Sequence, residues 1–111
     1  MSAPGSALQR VCFTMQLRSD RIDDYLRDHA EVWPEMLEAL TAAGWTNYSL
    51  FLRREDGMVI GYLETDDFER AQSEMARQDV NARWQSSMAS YFESGRPDGA
   101  MGLLTEYFHL D

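Results

Sequence analysis

The chain has 111 residues, a formal net charge of −9 at pH 7 and a single cysteine, Cys12. That length fits one domain with one modest core. The negative charge argues against nucleic acid or an anionic membrane as partner. One cysteine excludes an internal disulfide and a CxxC metal site, so a reducing cytoplasm is the expected compartment. The opening "MSAPGSALQR" has neither the basic nor the apolar segment of a secretory signal. Its Pro, Gly and Ser suggest a disordered lead-in over residues 1–8, ahead of a single domain over residues 9–111. No apolar run approaches the roughly 18 residues of a membrane span.

In "RVCFTMQL", residues 10–17, Val11, Phe13, Met15 and Leu17 alternate with Cys12, Thr14 and Gln16. Period two predicts a strand with one buried face. Residues 19–45 then place Ile22, Tyr25, Leu26, His29, Trp33, Met36, Leu37 and Leu40 at a 3.6-residue period. Ser19 or Asp20 is placed to cap this helix and Gly44 to end it. Pro34 removes a backbone donor and clashes with the turn before it. A kink is expected there, or a break near Val32 with Pro34 opening a second segment. Residues 46–65 read as a hairpin, with Tyr48, Leu50 and Leu52 on one strand, Val59, Gly61 and Leu63 on the other, and the Asp-Gly turn signal of "EDG" at 55–57.

Residues 66–77 carry Phe68, Ala71, Gln72 and Met75 at helical spacing. A further short helix over 80–92 puts Trp84, Met88 and Tyr91 on one face. "SGRPDGAMG", 94–102, is a loop by its Gly and Pro content, and "LTEYFHL", 104–110, reads as a closing strand. The order β-α-β-β-α-(α)-β is the ferredoxin-like split βαβ pattern, an α+β fold. Its helices cover one face of the sheet, so the other face must meet another subunit or a ligand.

Tyr25, His29 and Trp33 fall four residues apart, on one face of a helix. A histidine with an ordinary pKa of about 6.5 is the natural proton carrier at neutral pH. The ordinary reading of such a stripe is a core histidine satisfied by a hydrogen bond, a core tyrosine with its hydroxyl at the rim, and tryptophans that pack. Tyr48 is likewise read first as sheet packing. Yet Trp33, Trp45 and Trp84 together offer broad apolar ring faces, and these suit the C–H faces of a sugar when a few polar groups stand nearby. His109 reads as structural or surface. No HxxxH or HExxH spacing, phosphate-binding glycine loop or GxSxG elbow is present.

The stretch "FTMQLRSDRIDDYLRDHAEVWPEMLEALTAAGWTNYSLFL", the segment "VNARWQ" and the closing "EYFHL" resemble the L-rhamnose mutarotases, over residues 10–111. The most specific element is Tyr25 and His29 ahead of Trp33-Pro34-Glu35, followed by Asn47-Tyr48 at the second strand. The resemblance implies a dimeric α/β barrel of ferredoxin-like protomers that interconverts the α and β anomers of L-rhamnose, a monosaccharide, with no metal or organic cofactor. His29 matches the family's catalytic histidine, taken as proton donor. Tyr25 and Tyr48 match its substrate-binding tyrosines. Trp84 matches the first of two adjacent pocket tryptophans. The second is Gln85 here, which exchanges an apolar ring for an amide and bears on which sugar fits. The rival readings are a cofactor-free oxygenase or haem-binding enzyme of the dimeric α/β-barrel type, and a non-catalytic sugar-binding module. The Tyr/His/Tyr/Trp set argues against the first.

Overall fold

A computed structural model of the chain describes residues 8–93 and 101–111. The expected lead-in lies outside the described residues except for Leu8, as does the expected 94–102 loop except for its last two residues. Four strands form one sheet in the order β2-β3-β1-β4, where β1 is Gln9–Gln16, β2 Thr46–Arg53, β3 Met58–Thr65 and β4 Gly102–Leu104. Every neighbouring pair is antiparallel. Four helices complete the fold: α1 (Ile22–His29), α2 (Pro34–Ala42), α3 (Phe68–Ala76) and α4 (Asp79–Met88). This is the split βαβ arrangement.

Period two sets the two faces of the sheet. Phe13, Met15, Leu17, Val59 and Leu63 point inward and are buried with Ile22, Tyr25, Met36, Ala39, Met75, Trp84 and Met88 from the helices. The alternate positions face outward, where Phe51 is 62% exposed and Ile60 38% exposed. Gly61 pairs with Phe13 across the two central strands. A methyl group there would lie 2.2 Å from Cζ of Phe13, so the Phe13 ring occupies the space that a side chain would need.

The long helical stripe is interrupted where proline forbids its continuation. α1 ends at His29 and α2 opens with Pro34 at its first position, capped by Trp33. Its far end closes on Gly44, at φ +94°. There the Trp45 amide bonds the Leu40 carbonyl at 3.0 Å and the Gly44 amide bonds that of Thr41 at 3.1 Å.

Two expectations need correction. Neither Ser19 nor Asp20 caps α1: Ser19–Arg21 wind as a 3-10 turn, Arg21 occupies the cap position, and no side chain bonds there. The tighter turn already uses the Arg21 amide, which bonds the Arg18 carbonyl at 3.0 Å. The closing strand is also much shorter than the alternation in 104–110 suggests. β4 pairs Leu104 with Cys12 and Gly102 with Thr14. Continued, that register would set Glu106 opposite Arg10 and Tyr107 opposite Gln9, the first residue of β1, so only residues 108–111 lack a partner strand. Arg10 Nη2 holds the Glu106 carboxylate at 2.9 Å, and Tyr107, Phe108 and Leu110 stand 95%, 73% and 80% exposed.

Candidate active site

Between the inner face of the sheet and the helices lies a cavity of about 540 Å³. It is large enough for a small organic ligand. Tyr25, His29, Tyr48, Trp84 and Gln85 all line it, so the five candidate residues come together from three separate elements.

α1 supplies the first two. Tyr25 and His29 are one turn apart, with ring centroids 4.7 Å from each other. His29 is the last residue of α1, and its ring is half-buried. From α4, the Trp84 ring meets His29 edge-on at 5.3 Å. Trp33, the third member of the stripe, does not line the cavity but packs edge-on against Trp84 at 5.0 Å.

Alternation carries Tyr48 to the cavity with Leu50, and an irregularity that alternation does not reveal brings Trp45 to the same face. Thr46 pairs with Glu64 and Ser49 with Tyr62, so three residues of β2 span two steps of β3. The extra residue makes a β-bulge, and Asn47 takes a positive φ of 46° within it. Strict alternation would send Trp45 and Tyr48 to opposite faces. The bulge restores them to one face, with rings 5.1 Å apart, both in the cavity wall. Trp45 is fixed by its Nε1, which donates to the Ala71 carbonyl at 3.2 Å.

Burial governs the electrostatics. It pushes the Tyr25 hydroxyl up to about 12 and raises that of Tyr48, to which nearby Tyr25 adds. Both tyrosines are therefore neutral donors at physiological pH. Burial lowers the pKa of His29 below the ordinary 6.5, and the charge of Asp28 opposes this as the smaller effect. The Nδ1 atom of His29 is buried without a hydrogen-bond partner among the described residues. An imidazolium would have two N–H donors to satisfy, so this setting also favours the neutral ring. Asp28 itself accepts from the Tyr91 hydroxyl.

Two cavity residues escape a reading of the sequence as a site. Gln72 falls in the apolar stripe of its helix, and Asn81 reads as a surface polar residue, though it precedes Trp84 by three and Gln85 by four on one helical face. Five of the seven methionines (Met15, Met36, Met75, Met88 and Met101) also line the cavity. His109 lies far along the chain tail, its Nε2 2.8 Å from the Asp111 carboxylate, and takes no part.

Comparison with known proteins identifies the family. The family model for L-rhamnose mutarotase matches residues 10–110. The L-rhamnose mutarotase of Oceanobacillus iheyensis is 35% identical over 105 residues, covering 94% of this chain and 100% of that protein. That of Lactiplantibacillus plantarum is 38% identical over 103 residues, covering 92% of this chain and 98% of that protein. Among solved structures, the L-rhamnose mutarotase from Formosa agariphila superposes with a TM-score of 0.79 at 23% identity, covering 93% of this chain and 99% of that one. A dimeric ferredoxin-like protein from an uncultured marine organism gives a TM-score of 0.57 at 14% identity, covering 96% of this chain and 94% of that one. At these identities the two structures speak for the fold alone. The family match and the sequence relatives decide the rest: the chain belongs to the L-rhamnose mutarotase family.

Proposed function

We propose that this protein interconverts the α and β anomers of L-rhamnose, or of a closely related sugar, with His29 carrying the proton. The observation that supports this most directly is the half-buried His29 ring at the cavity wall, 4.7 Å from the Tyr25 ring, in a cavity that Tyr48 and Trp84 also line.

Ring opening removes a proton from the anomeric hydroxyl and places one on the ring oxygen. The C1–O5 bond breaks as the C1–O1 double bond forms. Rotation about C1–C2 and the reverse steps give the other anomer. Both oxygens are bonded to C1, so a single imidazole nitrogen lies within reach of each. Neutral His29 takes the proton from O1 and returns it to O5 as imidazolium. Nothing is oxidised and no group leaves. Tyr25 and Tyr48 hold sugar hydroxyls, and Trp84 packs its ring on the sugar's C–H face. One positioned acid–base group typically contributes about 10²- to 10⁴-fold, a useful gain for a reaction that already runs in water. NMR saturation transfer on L-rhamnose tests this: the wild-type protein should raise the anomer exchange rate in proportion to its concentration, and a sugar that binds without faster exchange would leave only a binding module.

The pH dependence follows from the direction of the His29 shift. The base form is lost as pH falls through the pKa of His29 in the folded protein, and burial has moved that value below 6.5. The acid limb of the catalysed rate is therefore expected to have its midpoint below pH 6.5. A midpoint above 6.5 in a pH–rate series contradicts the burial argument.

The working unit in this reading is a homodimer in a reducing cytoplasm. The outward sheet face offers Phe51, Ile60 and Leu104, and the tail offers Tyr107, Phe108 and Leu110, all exposed in one protomer. Apolar surface of that kind is ordinarily covered by a partner. Sedimentation velocity is expected to give the mass of two chains, and a 12.8 kDa species at micromolar concentration argues against it.

A further inference from the structure

The cavity also holds a buried amide that the proton transfer leaves unused. Asn81, in the first turn of α4, is 5% exposed and is one of two buried polar residues among those described. Its Nδ2 donates to the Met75 carbonyl at 3.1 Å, which ties it to the end of α3. Its Oδ1 accepts from Gln85 Nε2 at 3.1 Å, one helical turn on. The two amides therefore share one face of α4, and both line the cavity. Gln72 reaches the same cavity from α3, while Met36, Leu37, Leu40 and Met75 make the neighbouring wall apolar. An amide buried at an apolar wall costs free energy unless it meets polar partners. A pair bonded to each other and to the backbone is held in one orientation, as groups that recognise a ligand must be.

The pair also has a place along the site. Tyr25 packs against Tyr91 and Phe92, just beyond the C-terminal end of α4. His29 meets Trp84, further back along the helix. Asn81 is three residues further still, about 4.5 Å along the axis at the helical rise. That offset is comparable to the width of a pyranose ring measured from its anomeric carbon.

Resting on the mutarotase reading above, we infer that the Asn81–Gln85 pair seats the hydroxyls on the side of the sugar remote from C1, those on C3 and C4, and so makes the pocket read their configuration. Gln85 touches the sugar, and Asn81 is the residue that positions Gln85.

Three sugars separate this from other roles. L-Rhamnose is the reference, 6-deoxy-L-talose inverts only C4, and L-lyxose keeps the C2 to C4 hydroxyls but lacks the methyl carbon. Exchange is measured by saturation transfer for the wild-type protein and Gln85→Leu. The wild type is expected to favour L-rhamnose over the C4 epimer, and Gln85→Leu to shrink that preference by about tenfold, the worth of one hydrogen bond to a buried hydroxyl. The L-rhamnose to L-lyxose ratio should stay within about threefold by the same reasoning, since no amide contact changes. Asn81→Ala should move the epimer ratio in the same direction, whereas mere loosening of the fold lowers all three rates together. If a variant is too slow to follow, the same ratios are read as dissociation constants by calorimetry. An unchanged epimer ratio, or a change confined to L-lyxose, overturns the inference and leaves the mutarotase reading standing. A wild-type protein that accelerates none of the three sugars overturns both.

Discussion

Replacing His29 by alanine is expected to lower the catalysed rate of anomer exchange by about 10²- to 10⁴-fold, the usual contribution of one positioned acid–base group. The background reaction in water sets the floor. The fold should survive, because the buried Nδ1 of His29 has no partner among the described residues and its removal orphans none. What is lost is ring contact with Tyr25 and Trp84, both of which keep other aromatic neighbours. The measurement is saturation transfer on L-rhamnose alongside a thermal melt. A folded His29→Ala protein that exchanges anomers as fast as the wild type would move the proton transfer to some other residue.

Gly61→Ala should be the most damaging small substitution in the sheet. The added methyl carbon would stand 2.2, 2.6 and 2.7 Å from three carbons of the Phe13 ring, well inside van der Waals contact. Phe13 is 1% exposed, so the ring has one direction of escape, toward the cavity it helps to line. Overpacking of this kind costs about 1–3 kcal/mol. In urea, the unfolding midpoint should fall with the slope unchanged. Because the Phe13 ring lies 6.4 Å from that of Tyr48, its displacement also intrudes on the sugar site, so catalysed exchange should fall in the protein that remains folded. An unchanged midpoint would mean that the two strands can separate locally at no cost.

Much of the fold is legible in the sequence. Alternation located β1 and the hairpin because one face of each strand is buried and period two leaves a direct trace. Pro34 marked the break in the first helical region through its own chemistry. Tyr25 and His29 share a face by spacing, yet spacing alone favoured a core stripe, and only the family resemblance singled them out. The bulge at Asn47 was invisible, since an extra residue shifts the phase without an unusual residue type. Its effect is to bring Trp45 onto the face that Tyr48 shares with Leu50. The end of the chain misled for a different reason. β1 ends opposite Tyr107, so residues 108–110 have no strand to pair with, and the ladder itself stops at Leu104. Asn81 passed unnoticed because a polar residue on a helix reads as surface until a neighbouring helix, here through the Met75 carbonyl, is seen to cover it.

The methionine lining has a consequence for turnover. A mutarotase must hold three shapes of one molecule in succession: a closed ring, an open aldehyde swinging about C1–C2, and the ring of the other anomer. A wall of branched aliphatic side chains would fit one of them and resist the rest. Met15, Met36, Met75, Met88 and Met101 are unbranched, with several rotatable bonds and a polarizable sulfur, and can follow the sugar's outline through small rotamer changes. In the proposed reading, Tyr25, His29 and Trp84 can then hold C1 while the rest of the wall yields. The cavity thus acts as a firm jaw set in a pliant cheek, and the sugar can change form inside it without first being let go.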